Sequence, residues 1–328
     1  MSYKWGYIDR TGKMMIESQF DDAWDFSEGL AAVEMGGKCG YIDKTGKWVI
    51  GPQFDFARSF SEGLAAVEID GKWAYIDKTG KVMVKRQFDD AEYFHEGLAM
   101  VKKGGKWGYI GKAGWLRRRF SSYKMVIKPQ FYYAWDFSEG LAAVSVWIDS
   151  EGGYIDKTGK WVIKLGPQFC LNEAKPFSEG LAMVVKGRKY GFIDKTGKVV
   201  IEPLLDDAWD FSEGLARVKE WIGGKYGYID KTGKMVIKPQ FDFAGWFSEG
   251  LAVASKRKGG KYGYIDKTGK MVAEPQFDIA GDFHEGLAMV WKDGKYGYID
   301  KTWKVVIKPQ FDSVGWFSEG LARVGIED

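Results

Sequence analysis

The chain has 328 residues; 16% are aromatic and 28% are charged, with 44 glycines and only 8 prolines, a composition that excludes a disordered or collagen-like chain. A formal net charge of +3 excludes a chain-wide nucleic-acid footprint, and two cysteines, Cys39 and Cys170, are too few for a disulfide framework.

The opening "MSYKWGYIDRTGK" carries no apolar run of the signal-peptide kind, and no stretch of the chain approaches the length needed to span a bilayer. The expectation is a cytoplasmic chain with no membrane span. "KWGYID" at 4–9 is short, aromatic and β-branched, which predicts a strand. "DRTGK" then predicts a hairpin turn, in which Asp9 bonds to the backbone ahead and Gly12 takes a positive φ. "MMIE" predicts the returning strand. Most later copies put a Pro just after it, which is expected to stop the strand because Pro has no N–H for a ladder. "QFDDAWDF" at 19–26 predicts a short helical crossover. "SEG" turns again at Gly29, "LAAV" predicts a third strand, and "EMGG" hairpins into the next copy.

This unit recurs nine times. The tyrosine-isoleucine pair returns at Tyr7, Tyr41, Tyr75, Tyr109, Tyr154, Phe192 (in place of Tyr), Tyr228, Tyr264 and Tyr298. A second anchor, "FSEGLA" and its variants, begins at Phe26, Phe60, Phe94, Phe137, Phe177, Phe211, Phe247, Phe283 and Phe317. With "KWGYID…TGK…VI" and "FSEGLA" in order across essentially the whole chain, the sequence resembles the WG (KWG) β-repeat family, found mainly in bacterial proteins. That family is defined by its repeat rather than by an activity. Copies two and three depart from the naming dipeptide, with Cys39 for Trp and Ala74 for Gly.

A module of some 34 residues cannot bury its own apolar surface, so neighbours must stack to make a continuous core. The expectation is one all-β repeat domain over 1–328, with units near 4–37, 38–71, 72–105, 106–151, 152–188, 189–224, 225–260, 261–294 and 295–328. Each unit is read as a three-stranded antiparallel meander with a short crossover, stacked as an open superhelical, solenoid-like array. The alternative is a closed propeller-like ring with the N- and C-terminal strands paired, because "GLARVGIED" run into "MSYKWGYID" reads like an internal junction.

Nothing in the pattern suggests chemistry. The two histidines, His95 and His284, replace the serine of "FSEG", and their partners Glu96 and Glu285 recur in copies without histidine. No metal-ligand, nucleophile or phosphate-loop motif is present, so neither enzyme activity nor a cofactor is expected. Paired carboxylates such as Asp21-Asp22 repeat with the crossover and read as capping groups. Lysines of the "KTGK" hairpins and glutamates of "SEG" read as solvated rows joined by salt bridges across units, or as an elongated charged binding face.

Two sets of binding candidates stand out. Trp24, Trp135 and Trp209 lie at a crossover position where other copies carry Arg58, Glu92, Lys175 or glycine, and Trp246 and Trp316 lie just beside it. A position so tolerant of charge is expected at the surface, and an aromatic ladder there suits sugar rings or protein hot spots. The fourth copy instead breaks its first hairpin with residues 111–124, which hold Trp115, Arg117, Arg118, Arg119, Phe120 and Tyr123. Irregular loops on rigid scaffolds often carry function, and arginine suits bidentate anion contacts. The reading is a non-catalytic binding scaffold for a protein or peptide, held across several repeats and this loop. Carbohydrate or cell-wall binding through the aromatics is the alternative, and nucleic-acid or anion binding through Arg117–Arg119 stands third.

Overall fold

In the computed structural model, residues 3–112, 123–146, 152–166, 169, 174–219 and 224–327 are described. Among them there is no helix, and the strands form nine antiparallel sheets. The expected helical crossover is absent: the strand Met14–Phe20 runs to within one residue of the two-residue strand Asp22–Ala23. The chain's contacts group into two compact units, residues 1–60 with 225–227 and 237–328, and residues 61–224 with 228–236.

In the first unit, one sheet has the order Asp22–Ala23, Leu30–Met35, Lys38–Asp43, Trp48–Phe54. A sheet therefore takes its first two strands from the crossover and "GLAAV" of one copy, and its last two from the "KWGYID" hairpin of the next. It has four strands, not the expected three, because the crossover segment itself pairs, Ala23 with Val33. The second unit repeats this order in Asp90–His95, Leu98–Lys103, Lys106–Lys112, Tyr123–Phe131.

The naming glycine has a steric cause. Tyr41 faces Ile50 while Cys39 faces Phe54, so one strand carries excess residues in a wide bulge. Pro52 sits in this excess, inside the strand Trp48–Phe54 rather than ending it, at a point free of ladder bonds. The bulge presses its backbone on the facing strand. A Cβ on Gly40 would meet the Ile50 carbonyl oxygen at 2.6 Å, and one on Gly297 the Ile307 oxygen at 2.4 Å.

The repeat's tyrosine closes over its sheet in every copy but the one that carries Phe192. Tyr7, Tyr264 and Tyr298 are buried, and their hydroxyls donate to the carbonyls of Trp24, Gly281 and Gly315 at 2.6–2.9 Å. The ring of Tyr7 meets Phe26 edge-on at 4.9 Å. Burial pushes these phenols well above their ordinary range.

The chain's two ends meet in one sheet of the first unit. Tyr3–Asp9 pairs with Leu321–Glu327 over seven residues, from Tyr3 opposite Glu327 to Asp9 opposite Leu321. The sheet order, Met14–Phe20, Tyr3–Asp9, Leu321–Glu327, Ser313–Val314, is that of the internal sheets. The expected open superhelical array is thus incorrect, and the architecture is a closed β-propeller of nine blades. The physical reason is edge satisfaction. An open array leaves two strand edges unpaired, whereas here the last copy's third strand completes the first copy's hairpin. Leu321 enters a core cluster with Tyr7 and Phe26, and Val324 one with Ile8 and Tyr298.

The hairpin reading holds atom by atom. Asp9 Oδ1 accepts from the Thr11 N–H, the Thr11 hydroxyl and the Lys13 N–H at 2.6–3.0 Å. Asp43, Asp77, Asp156, Asp194, Asp230, Asp266 and Asp300 do the same. The threonine hydroxyl, with smaller help from the backbone N–H groups, holds each carboxyl below the usual range. A lowered folded pKa stabilises above the unfolded value, near pH 4, and that stability is lost as pH falls through the folded values. The expected result is a melting temperature flat near neutrality that drops steadily below about pH 4. Asp25, Asp207 and Asp210, raised chiefly by burial, oppose the trend but are outnumbered. A thermal melt unchanged down to about pH 3 would contradict this account.

Candidate functional site

The charged rows resolve into ties between neighbouring copies. Every "SEG" glutamate has a positive φ, for example 55° at Glu28 and 53° at Glu319, followed by a positive-φ glycine. This costly geometry aims the carboxylate forward. In the first unit, Glu319 accepts the Gly29 N–H at 3.0 Å and pairs with Lys44 at 3.1 Å. In the second, Glu96 holds the Gly140 N–H at 2.9 Å and Lys157 at 3.0 Å. Burial works to raise the Glu96 carboxyl, yet those two partners keep it below its ordinary value. The serine of the same turn donates to the next copy's phenylalanine carbonyl, Ser27 to Phe60 and Ser61 to Phe94, at 2.7–2.8 Å.

The acidic pairs are also structural. Lys4 meets Asp21 at 2.6 Å, and the other oxygen of Asp21 accepts the Gly36 N–H. Where Tyr132 replaces that aspartate, Lys106 lies over its ring at 5.2 Å. The histidines stand where the serine tie is missing. His95 Nε2 is 3.7 Å from Asp136, and His284 stacks on Trp316 with centroids 4.7 Å apart.

The crossover tryptophans of each unit sit in different surroundings. In the first unit, Trp246 and Trp316 are 49% and 45% exposed, while Trp24 is half-buried edge-on to Phe56 at 5.5 Å. In the second, Trp135 carries Lys175 over its ring at 4.4 Å, and half-buried Trp209 carries Arg217 at 3.6 Å. Among the described residues of the first unit, Trp24, Trp246 and Trp316 make no ring contact with one another. They are separate platforms, each with its own neighbour. Carboxylates flank two of them: a Cβ on Gly245 would meet Asp282 Oδ1 at 3.2 Å, and one on Gly315 would meet Asp25 Oδ1 at 2.7 Å. Asp25 lies 3.3 Å from Arg323 Nε as an ion pair without hydrogen-bond alignment. Its carboxyl is raised by burial, against the pull of Arg323 and His284.

Of the irregular loop, Trp115, Arg117, Arg118, Arg119 and Phe120 lie outside the described residues, as does Cys170. Tyr123 opens the strand Tyr123–Phe131 and packs edge-on to Phe94 at 5.5 Å, a core role. Cys39 is buried, its thiol pushed up to about 11 by desolvation. Among the described residues, no group of three or more His, Cys, Asp or Glu side chains is placed to hold a metal ion. No helix there is long and apolar enough to cross a membrane, which says nothing of β-barrels.

Two features escaped the sequence reading, both in the first unit. Cavities lie beside the hairpin 255–261 and beside Trp303. A local charge count would have flagged the first, "SKRKGGK", and the glycine-to-tryptophan exchange in "KTWK" the second.

The fold is that of a tandem-repeat β-propeller. The family model of the WG containing repeat matches nine segments, residues 5–39, 40–73, 73–107, 124–146, 153–190, 190–226, 226–262, 262–296 and 296–328, and the chain belongs to this family. No curated protein matches it in sequence. Among solved structures, it is similar to one described as a eukaryotic initiation factor, at 11% identity and TM-score 0.59, over 95% of this chain and 96% of that one. It is also similar to BamB from Moraxella catarrhalis, at 9% identity and TM-score 0.44, over 100% of this chain and 97% of that one. The first similarity supports the fold alone.

Proposed function

We propose that this propeller is a non-catalytic binding scaffold whose contact surface is the crossover edge bearing the exposed aromatics. A protein or peptide is the favoured partner. The observation that carries this reading is the exposure of Trp246 and Trp316 at 49% and 45%, the most exposed aromatics among the described residues. Large indoles left half in water on a rigid edge are the side chains that dominate interface energies when covered. The carboxylates and glutamates nearby are engaged in structural ties, which supports binding rather than catalysis.

Carbohydrate recognition is a second reading, favoured by the carboxylates Asp25 and Asp282 packed beside Gly315 and Gly245, each next in sequence to an exposed indole. A flat ring beside a carboxylate suits the C–H face and hydroxyls of a sugar. One double variant, Trp246→Ala with Trp316→Ala, tests both readings. Affinity capture from the native host is expected to lose its partners, and a purified partner to bind at least about thirtyfold more weakly, the loss of a hot spot. Glycan-array signal lost in the variant would favour the sugar reading. Unchanged capture and a blank array for both proteins would exclude this edge as the contact surface.

A further inference from the structure

One stretch of the first unit is locally basic. Residues 255–309 hold eleven Lys and Arg against seven Asp and Glu, a local net charge of +4, whereas the whole chain carries +3. Both cavities lie in this stretch. The first, about 440 Å³, is lined by Lys256, Arg257, Lys261 and Pro275, with the buried hydroxyl of Ser255 at its wall. The second, about 490 Å³, is lined by Lys292, Lys295 and Lys308 and one acidic residue, Asp293, together with apolar side chains that include Phe277 and Trp303. The strand Met271–Phe277 supplies consecutive residues, Pro275 to one and Gln276 to the other.

Two of the lysines here are tied to a carboxylate, Lys261 to Asp278 and Lys295 to Asp312. Among the described residues, Lys256, Arg257, Lys292 and Lys308 make no ion pair. Four unneutralised cations beside two cavities are electrostatically incomplete without an anionic ligand.

The second cavity is shaped by a paired exchange within the chain. Other hairpin tips place a glycine against the preceding copy's isoleucine: a Cβ on Gly46 would meet Ile16 at 3.1 Å, and one on Gly269 would meet Ile237 at 2.6 Å. Here Trp303 stands at that position with φ 69°, and the facing residue is Ala273. The smaller side chain makes room for the larger. The indole stacks on Tyr264, 5.4 Å away and 26° from parallel. Since that face is engaged, the cavity offers apolar walls and cations but no free platform for a nucleobase.

We infer that this basic edge binds an acidic polypeptide segment, its carboxylates meeting the four unpaired cations and its apolar side chains entering the two cavities. The inference rests on the binding-scaffold reading and adds the chemistry of the partner. Apolar walls between cations fit alternating acidic and apolar side chains better than a sugar-phosphate backbone, whose affinity leans on base stacking and phosphate contacts.

The test is fluorescence anisotropy with the full chain and three probes: a peptide alternating Glu with Leu, its Lys-for-Glu counterpart, and an oligothymidylate. The Glu peptide is expected to bind, to weaken as salt rises, and to lose about tenfold or more in affinity in the double variant Lys292→Glu with Lys308→Glu. Arg257→Glu should weaken it independently, and unchanged melting temperatures would show that both variants are folded. Failure of the Glu peptide to bind, equal binding to the variants, or tighter binding of the oligothymidylate would each overturn the inference. Partners captured equally by wild type and the glutamate variants, yet lost in the Trp246 and Trp316 variant, would end this inference and leave the scaffold reading standing.

Discussion

Removing residues 321–328 is expected to unfold the first unit's terminal sheet rather than fray it. The strand Tyr3–Asp9 would lose all seven of its partners in Leu321–Glu327. Leu321, Ala322 and Val324 are 8%, 1% and 0% exposed, and they complete two core clusters that contain Tyr7, Phe26, Ile8 and Tyr298. Burial of the two larger side chains is worth about 1.5–3 kcal/mol each, and every orphaned backbone group in the buried ladder adds to the loss. A total above about 5 kcal/mol is comparable with the whole stability of many domains. The truncated chain should therefore melt far lower, or not fold, when followed by tryptophan fluorescence. A cooperative melt at the wild-type midpoint would mean that the seam does not matter, and would restore the open array.

The second large effect is expected at the naming glycine. Gly297→Val places a branched side chain whose Cβ would lie 2.4 Å from the Ile307 oxygen, 2.6 Å from the Pro309 nitrogen and 2.8 Å from the Lys308 carbonyl carbon. All three are backbone atoms of the bulge, so no rotamer change relieves the contact. The bulge must open, taking Tyr298 and Phe311 out of register. A loss of about 3 kcal/mol is expected from the chemical-denaturation midpoint. Copy three supplies the control: Ala74 occupies this position and is buried at 1% exposure, with Trp73 still opposite Phe88 and Tyr75 still opposite Val84. A single methyl is thus accommodated, so Gly297→Ala should cost much less than Gly297→Val. A valine variant with the wild-type midpoint would remove the close-approach account.

The function side of the reading was legible only in outline. The exposure of Trp246 and Trp316 followed from the variety of residues at the position just before them, and the structure places both half in solvent. A ladder among Trp24, Trp246 and Trp316 did not follow. Whether tryptophans in separate copies touch depends on their rotamers and on what each neighbouring copy offers, Lys175 to Trp135 and His284 to Trp316. The glutamates of "SEG" were read as part of a row because their positive φ leaves no trace in residue type. Only the geometry shows that Glu319 ties down the Gly29 N–H and Glu96 the Gly140 N–H, each in the neighbouring copy.

By itself the sequence determined the repeat count, the family, the strands and the "KTGK" turns, because these rest on local chemistry: alternation, an aspartate that bonds ahead, a glycine at positive φ. The tertiary structure alone decided closure, the fourth strand of eight of the nine sheets among the described residues, the bulge around Pro52, and the pairing of Trp303 with Ala273. Those features depend on which edges find partners and how closely two backbones approach. That is a property of residues far apart in the chain, and single-position patterns do not encode it.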